Sequence, residues 1–338
     1  MQPYSDAISY NQPRKPQGRG GTWFSLALLV TVGLGFVFRQ QLTDAYRLHN
    51  YVPPAAIAQL AAQDGLQPGT RRVFFVNHPQ LQNKATFKTA CPNGGGETTI
   101  ILGCYHGGQN GIYLLQVSDS RLDGVTQVTA AHEALHAAYD RLSKSERRKV
   151  DAMLLDYYNH GLQDQRIKDT VDGYKKTEPK DVINEMHSIF GTEITTLPKD
   201  LEAYYSRYFI DRTKVTTFAN QYQAEFSSRQ AAVKQDDALL STLKQRIDAL
   251  EANLNTQQIQ ITSRQQDLVA KRKNGETAAY NAGVPGYNAL IETYNTNVRE
   301  VQKLVSQYNE LVAARNDIAA QISELSNALS STATQINQ

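Results

Sequence analysis

His132-Glu133-Ala134-Leu135-His136 is the segment of this chain whose residue types and spacing can do chemistry. On a helix, residues four apart stand one above the other, about 6 Å apart. Both imidazoles can then take corners of one tetrahedral zinc ion. The glutamate between them projects beside the pair, where it can accept a proton from an activated water. The plainer alternative is two half-buried histidines bonded to backbone carbonyls. Chance produces the H-E-x-x-H pattern in a chain of 338 residues roughly once in a hundred.

A catalytic zinc held by two histidines needs a third protein ligand and one open position. After His136 the sequence reads AAYDRLS, so that ligand must come from farther along. Val182, Ile183, Met186, Ile189 and Phe190 outline the apolar face of a helix expected from about Pro179 to Phe190 and stopping at Gly191. Glu185 falls on that face, where a carboxylate is costly unless paired or metal-bound. It is therefore the expected third ligand, with one zinc per chain. The alternative is a buried ion pair with Arg207 or Arg212. Glu193 is the runner-up ligand or a group that orients one. His187 lies on the other side of the helix from Glu185, either reaching the cleft as a transition-state donor or sitting on the surface. His106, Tyr204, Tyr205 and Tyr208 are further candidates for that donor.

HEALH, taken with Asn184-Glu185-Met186-His187-Ser188, resembles the H-E-x-x-H zinc metallopeptidases of the gluzincin kind, which share the thermolysin ligand set. The resemblance covers roughly residues 110–195. It implies His132, His136 and Glu185 as zinc ligands, Glu133 as general base, Asn184 beside the ligand and a small zincin-like catalytic domain. Where that group has an acid after the serine, this chain has Ile189, so Asp140 or Glu193 would have to orient a zinc-binding histidine. The large carboxyl-terminal domain of thermolysin-like enzymes has no counterpart here, and substrate class does not carry over.

The elements that must position these residues read as an α+β domain over 44–215, a short β-sheet packed on helices. RRVFFV (71–76), TTIILG (98–103) and GIYLLQV (111–117) are β-branched or aromatic runs separated by Asn, Pro and Gly, and are expected as strands. An edge strand within 111–117 would accept an extended peptide by strand addition. Val128, Ala131, Leu135, Ala138 and Leu142 recur at helical spacing, so an amphipathic helix is expected over 125–142. Ser143 to Glu146 is a capping box for the next helix, and a further helix begins near Pro198. The YYSRYF run (204–209) is expected to pack its helix against the core.

Residues 1–22 are polar and Gly/Pro-containing and are expected to form a flexible cytoplasmic tail. The 16 residues from Trp23 to Phe38 carry no charge, and no small-residue cleavage site follows them closely. This predicts an uncleaved transmembrane signal anchor. Arg14, Lys15 and Arg19 precede the run, and Arg39, Asp44 and Arg47 follow it. The positive-inside rule then puts the amino terminus in the cytoplasm and all that follows outside, as a single-pass membrane protein. Outside, Cys91 and Cys104 are expected to pair as a disulfide. A net charge of +2 without a basic patch gives nucleic-acid binding no footing.

From residue 216 onward the pattern is heptad. Val233, Leu240, Ile247, Leu254, Ile261 and Leu268 are spaced by seven, with Leu243 and Leu250 on the second seam position. KRKNGETAAYNAGVPG (271–286) interrupts the repeat. It resumes with Leu290, Leu304, Leu311, Ile318 and Leu325 on one seam position and Tyr287, Tyr294, Val301, Tyr308, Ile322, Leu329 and Ile336 on the other. The expectation is an antiparallel coiled-coil hairpin over 216–338, joined by a loop at 271–286, with Arg315 marking register or a wet contact. This tail has no His and no Cys, so it is expected to be dispensable for the chemistry. Two function classes follow. One is a membrane-anchored zinc metallopeptidase acting on a peptide or protein, its coiled coil free to bind an envelope protein or another copy. The other is a cell-envelope structural or adaptor protein whose zinc site is inactive or structural.

Overall fold

The structure is a computed structural model that describes residues 20–92 and 101–330. The tail up to residue 19, the first residues of the expected 98–103 strand and Ile336 lie outside that description. The chain divides into two units, Met1–Val52 and Pro53–Gln338.

In the first unit, α1 (Gly20–Val37) is followed by α2 (Arg39–Leu48). Helix therefore takes in the last three residues, 20–22, of the segment expected to be a flexible tail. Leu28, Leu29, Val30, Val32, Leu34 and Val37 are exposed. Among the described residues no helix is long and apolar enough to cross a membrane, so the expected span over 23–38 gains no support from the fold.

The second unit runs α3 (Ala55–Gln63), α4 (Pro68–Val76), β1 (Gln80–Gln82), α5 (Lys84–Ala90), β2 (Gly103–His106), β3 (Gly111–Leu115), a 3-10 turn (Ser120–Leu122), α6 (Val125–Tyr139), α7 (Lys144–Asp156), α8 (Gln165–Thr177), α9 (Val182–Glu193), α10 (Lys199–Tyr205), α11 (Thr213–Lys273) and α12 (Thr277–Leu329). RRVFFV is helical rather than extended. Pro68 opens the helix with its φ already set, and Thr70 and Phe74, four apart, are buried on the side of α4 that packs on α6. Tertiary packing overrides the β propensity of this run.

The strand order is β1-β3-β2, with β1 parallel and β2 antiparallel to β3. The central strand is therefore β3, not an edge: Tyr113 lies opposite Gln80 on one side and Cys104 on the other. Ile112, Leu114 and Leu115 are buried, which suits a strand covered on both faces. The edge nearer the helices is β2, which packs against α6.

The core is built around α6. Alanines at 130, 131, 134, 137 and 138 keep its surface small, and α3, α4, α9, α11 and β2 all reach it. It is enclosed on all sides rather than amphipathic, with Glu133 and His136 among its buried residues. The Ser143–Glu146 capping box starts α7 with both reciprocal bonds. Helix α9 does not stop at Gly191 but runs on to Glu193. The reason is packing: a Cβ at Gly191 would lie 2.5 Å from Leu135 Cδ1 and 2.7 Å from a Tyr205 ring carbon. That glycine lets α9 approach α6 closely and ends nothing.

Two helices of 61 and 53 residues form the hairpin. The connection is only Asn274–Glu276, with Gly275 at φ +74°. Helix α12 continues through Pro285, where a loop was expected. One proline removes a single backbone bond, and seam packing offsets it: the buried Leu268 lies against Gly283. The seam contains a polar layer, with Asn297 Nδ2 donating to buried Gln257 Oε1 at 3.1 Å. Arg315 bonds Asp237 across the hairpin at 3.0 Å.

The main core does not end at residue 215. Val215 and Ala219 are buried in it, with Phe218 and Tyr222 packed alongside. At the same end of the hairpin, where α12 finishes, Leu325 and Leu329 are buried with Leu122 and Val125, at the start of α6.

Candidate metal centre

Helices α6 and α9 place three donors around one point. His132 Nε2 and His136 Nε2 are 3.0 Å apart. Glu185 Oε1 lies 3.4 Å from the His136 nitrogen, and Oε2 lies 3.5 Å from the His132 nitrogen. Ligands about 2.0–2.1 Å from a tetrahedral ion are separated by roughly 3.3 Å, so these distances match the edges of such a site. Glu185 is only 8% exposed, and its Oε2 is buried without a hydrogen-bond partner. A buried carboxylate oxygen left unbonded beside two imidazole nitrogens suits a cation. His132, His136 and Glu185 are thus a group that can hold a metal ion.

The competing partners of Glu185 are engaged elsewhere. Arg207 pairs with Glu146, and Arg212 bonds Glu202 and the carbonyls of Ile194 and Thr195. Burial pushes the Glu185 carboxyl up. The charges of His136 and His132 and the Tyr174 hydroxyl outweigh that, so the net shift is downward.

Glu133 is 5% exposed and lines the same cleft. Burial drives its carboxyl up to about 7, against the His136 charge and with the help of Glu185. The backbone amide of Tyr105 on β2 works against that rise. The cleft has a volume of about 600 Å³, with β2, α6 and the start of α9 among its walls. Asn184 lines it and keeps a buried Oδ1 without a partner.

Other sequence candidates fall elsewhere. His187 is fully buried and does not line the cleft: its Nε2 meets the Tyr204 hydroxyl at 2.9 Å, and the rings of Tyr139, Tyr205 and Tyr208 surround it. It is neither a surface residue nor a donor in the cleft, because residues 185–192 of α9 are buried all round. Tyr204, Tyr205 and Tyr208 serve that aromatic cluster. Glu193 lines the cleft, but its Oε2 accepts from Arg166 at 2.7 Å and Gln223 at 3.0 Å. Asp140 accepts from the Tyr105 hydroxyl at 3.0 Å. Among the described residues neither acid is bonded to His132 or His136. His106 lines the cleft at the end of β2.

Sequence reasoning passed over Tyr174. It lines the cleft and helps hold the Glu185 carboxyl down, and burial, with the Glu185 charge adding to it, pushes its phenol pKa up, so it stays a donor. The signal was present: Ile167, Val171 and Tyr174 stand on one face of α8, and the first two are buried. Cys91 and Cys104 are joined by a disulfide and both line the cleft.

Compared with protein-family models, with curated proteins and with solved structures, this chain matches none of them.

Proposed function

We propose that this protein is a zinc-dependent peptidase. The observation that carries the reading is the His132–His136–Glu185 group with the buried Glu133 beside it in one cleft. Zinc fits the donor set of two imidazoles, one carboxylate and an open position. When bound, it would lower the pKa of water toward neutrality and polarise the scissile carbonyl. The chain's own residues do the remainder. Glu133 takes the proton from the attacking water and delivers it to the leaving amine. Tyr174 donates to the carbonyl oxygen as negative charge develops there. The edge strand β2 lines the cleft and can pair with an extended peptide backbone, which favours a peptide over a small ester.

The same reading puts the domain on the oxidising side of a membrane, with residues 23–38 as anchor. Its supports are the uncharged run in the sequence and the Cys91–Cys104 disulfide. Protease added to intact cells should then remove the domain.

The deciding experiment measures zinc stoichiometry and cleavage of unstructured peptides by the wild type and Glu133→Gln. Expected are one zinc per chain in both and loss of cleavage in the variant only. A wild type that binds zinc without cleaving any peptide would leave the adaptor reading, with a structural metal, in its place.

A further inference from the structure

Metal ligands and general base are held by different parts of the molecule. The three ligands stand on α6 and α9 alone. The base shares α6, but its carboxylate is set against β2. Gly103 presses that strand onto the helix: a Cβ there would lie 2.6 Å from Thr129 Cγ2 and 2.7 Å from Glu133 Oε1. Two residues on, the Tyr105 backbone amide favours the ionised Glu133 carboxylate, and the Tyr105 hydroxyl bonds Asp140 one turn after His136. Between these two contacts sits Cys104, joined to Cys91 at the end of α5.

Only four residues long, β2 pairs among the described residues with β3 alone. The disulfide adds a covalent tie on its cleft side, within a small cluster formed by Phe87, Cys91 and Leu115 and separate from the main core. The geometry points to the Cys91–Cys104 disulfide as a positioning device for the general base: it holds β2, and with it the Tyr105 amide, against α6 at Glu133, and its reduction switches the enzyme down without removing the metal. Cys91 and Cys104 act through Tyr105 and touch no reacting atom. This rests on the peptidase reading above.

Reduction by a water-soluble phosphine delivers two electrons to the S–S bond. The two sulfurs take protons from water as the thiols of Cys91 and Cys104, and the phosphine leaves as its oxide. Nothing in that step touches α6 or α9. The pairing of β2 with β3 and the Tyr105–Asp140 bond remain, so the strand drifts by a fraction of an ångström to an ångström rather than unfolding. A misplacement of that size costs on the order of 10- to 100-fold in turnover.

The test uses the full chain in four forms: oxidised, phosphine-reduced, the double variant Cys91→Ser with Cys104→Ser, and Gly103→Ala, which pushes β2 off Glu133 with the disulfide intact. Each is measured for zinc content, for kcat and KM on an unstructured peptide, and for hydrogen exchange at the Tyr105 amide. We expect one zinc per chain throughout, kcat lower by on the order of 10- to 100-fold in the last three forms, KM changed by no more than about 2-fold, and faster exchange at Tyr105. Reoxidation should restore the reduced wild type. Unchanged kcat and unchanged Tyr105 exchange in the reduced and double-Ser forms would overturn the inference, as would loss of zinc in step with activity. If the oxidised wild type cleaves nothing, the peptidase reading has failed instead, and the Tyr105 exchange still decides whether the disulfide holds the strand.

Discussion

Helix α6 and the hairpin α11/α12 are both read from apolar spacing, and they end in opposite environments. Fifteen residues of α6 are packed by α3, α4, α9, α11, β2 and β3, so a buried glutamate and two histidines share one cleft. The 61 residues of α11 are buried mainly where they join the core, with Gln257 and Leu268 the buried positions farther along. A long two-helix element encloses a stripe, and desolvation strong enough to drive a carboxyl up to about 7 occurs at Glu133 on α6. Where the two regions meet, Val215, Ala219, Leu325 and Leu329 belong to the core as much as to the hairpin.

The largest expected effect tests whether that meeting point belongs to the core. Truncation at residue 215 strips the cover from Leu122 and Val125 and should give an unfolded or aggregating product by circular dichroism. Deleting 241–309 and closing the arms with a short turn keeps the base and should leave a folded, metal-binding domain. If both products fold equally well, the shared core at the base has no energetic weight.

Next in size is Glu185→Ala, which should weaken metal binding by at least about 100-fold by titration calorimetry. Glu193→Ala should leave metal content unchanged, because its carboxylate serves Arg166 and Gln223. The reverse pattern would move the ligand.

Asp64 sharpens the contrast on the core side. It is fully buried, neither carboxylate oxygen has a hydrogen-bond partner, and burial raises its pKa well above the usual range. The folded state therefore binds this proton more tightly than the unfolded chain does. Stability is highest below the unfolded pKa and falls as pH rises from there toward the raised folded value. Asp64→Asn removes the ionisation and should stabilise the protein at neutral pH by on the order of 1–3 kcal/mol, while flattening its stability between pH 4 and neutrality. Denaturant melts of both proteins across that range check it, and parallel curves would contradict it.

The smallest effects are two glycine substitutions of opposite sign. Gly191→Ala drives a methyl into Leu135 and Tyr205 and should destabilise by about 1–3 kcal/mol. Gly286→Ala, in α12 with nothing within 4 Å of the new Cβ, should stabilise by about 0.5–1 kcal/mol. Matching signs in thermal melts would mean that hairpin and core do not differ in packing as described.

Much of the metal group was legible because it depends on local spacing: His132 and His136 one helical turn apart, and Glu185 among Val182, Met186 and Ile189. The heptads were legible for the same reason, since a seam repeats along a single helix. His187 was not, because its side of α9 is open only if nothing packs there, and Tyr204, Tyr205 and Tyr208 do. RRVFFV, Gly191 and the 271–286 stretch were misread for a related reason. Propensity gives Val-Phe-Phe to strand, Gly to helix ends and Pro to loops, and in each case a partner helix outweighed it. Local periodicity thus determined which residues lie on a common face. Tertiary structure decided what covers that face, and so which acids remain open to a metal, which tyrosine lines the cleft with Glu185 and which strand lies against Glu133. Enclosure depends on contacts between residues far apart in the chain, and no window of sequence contains them.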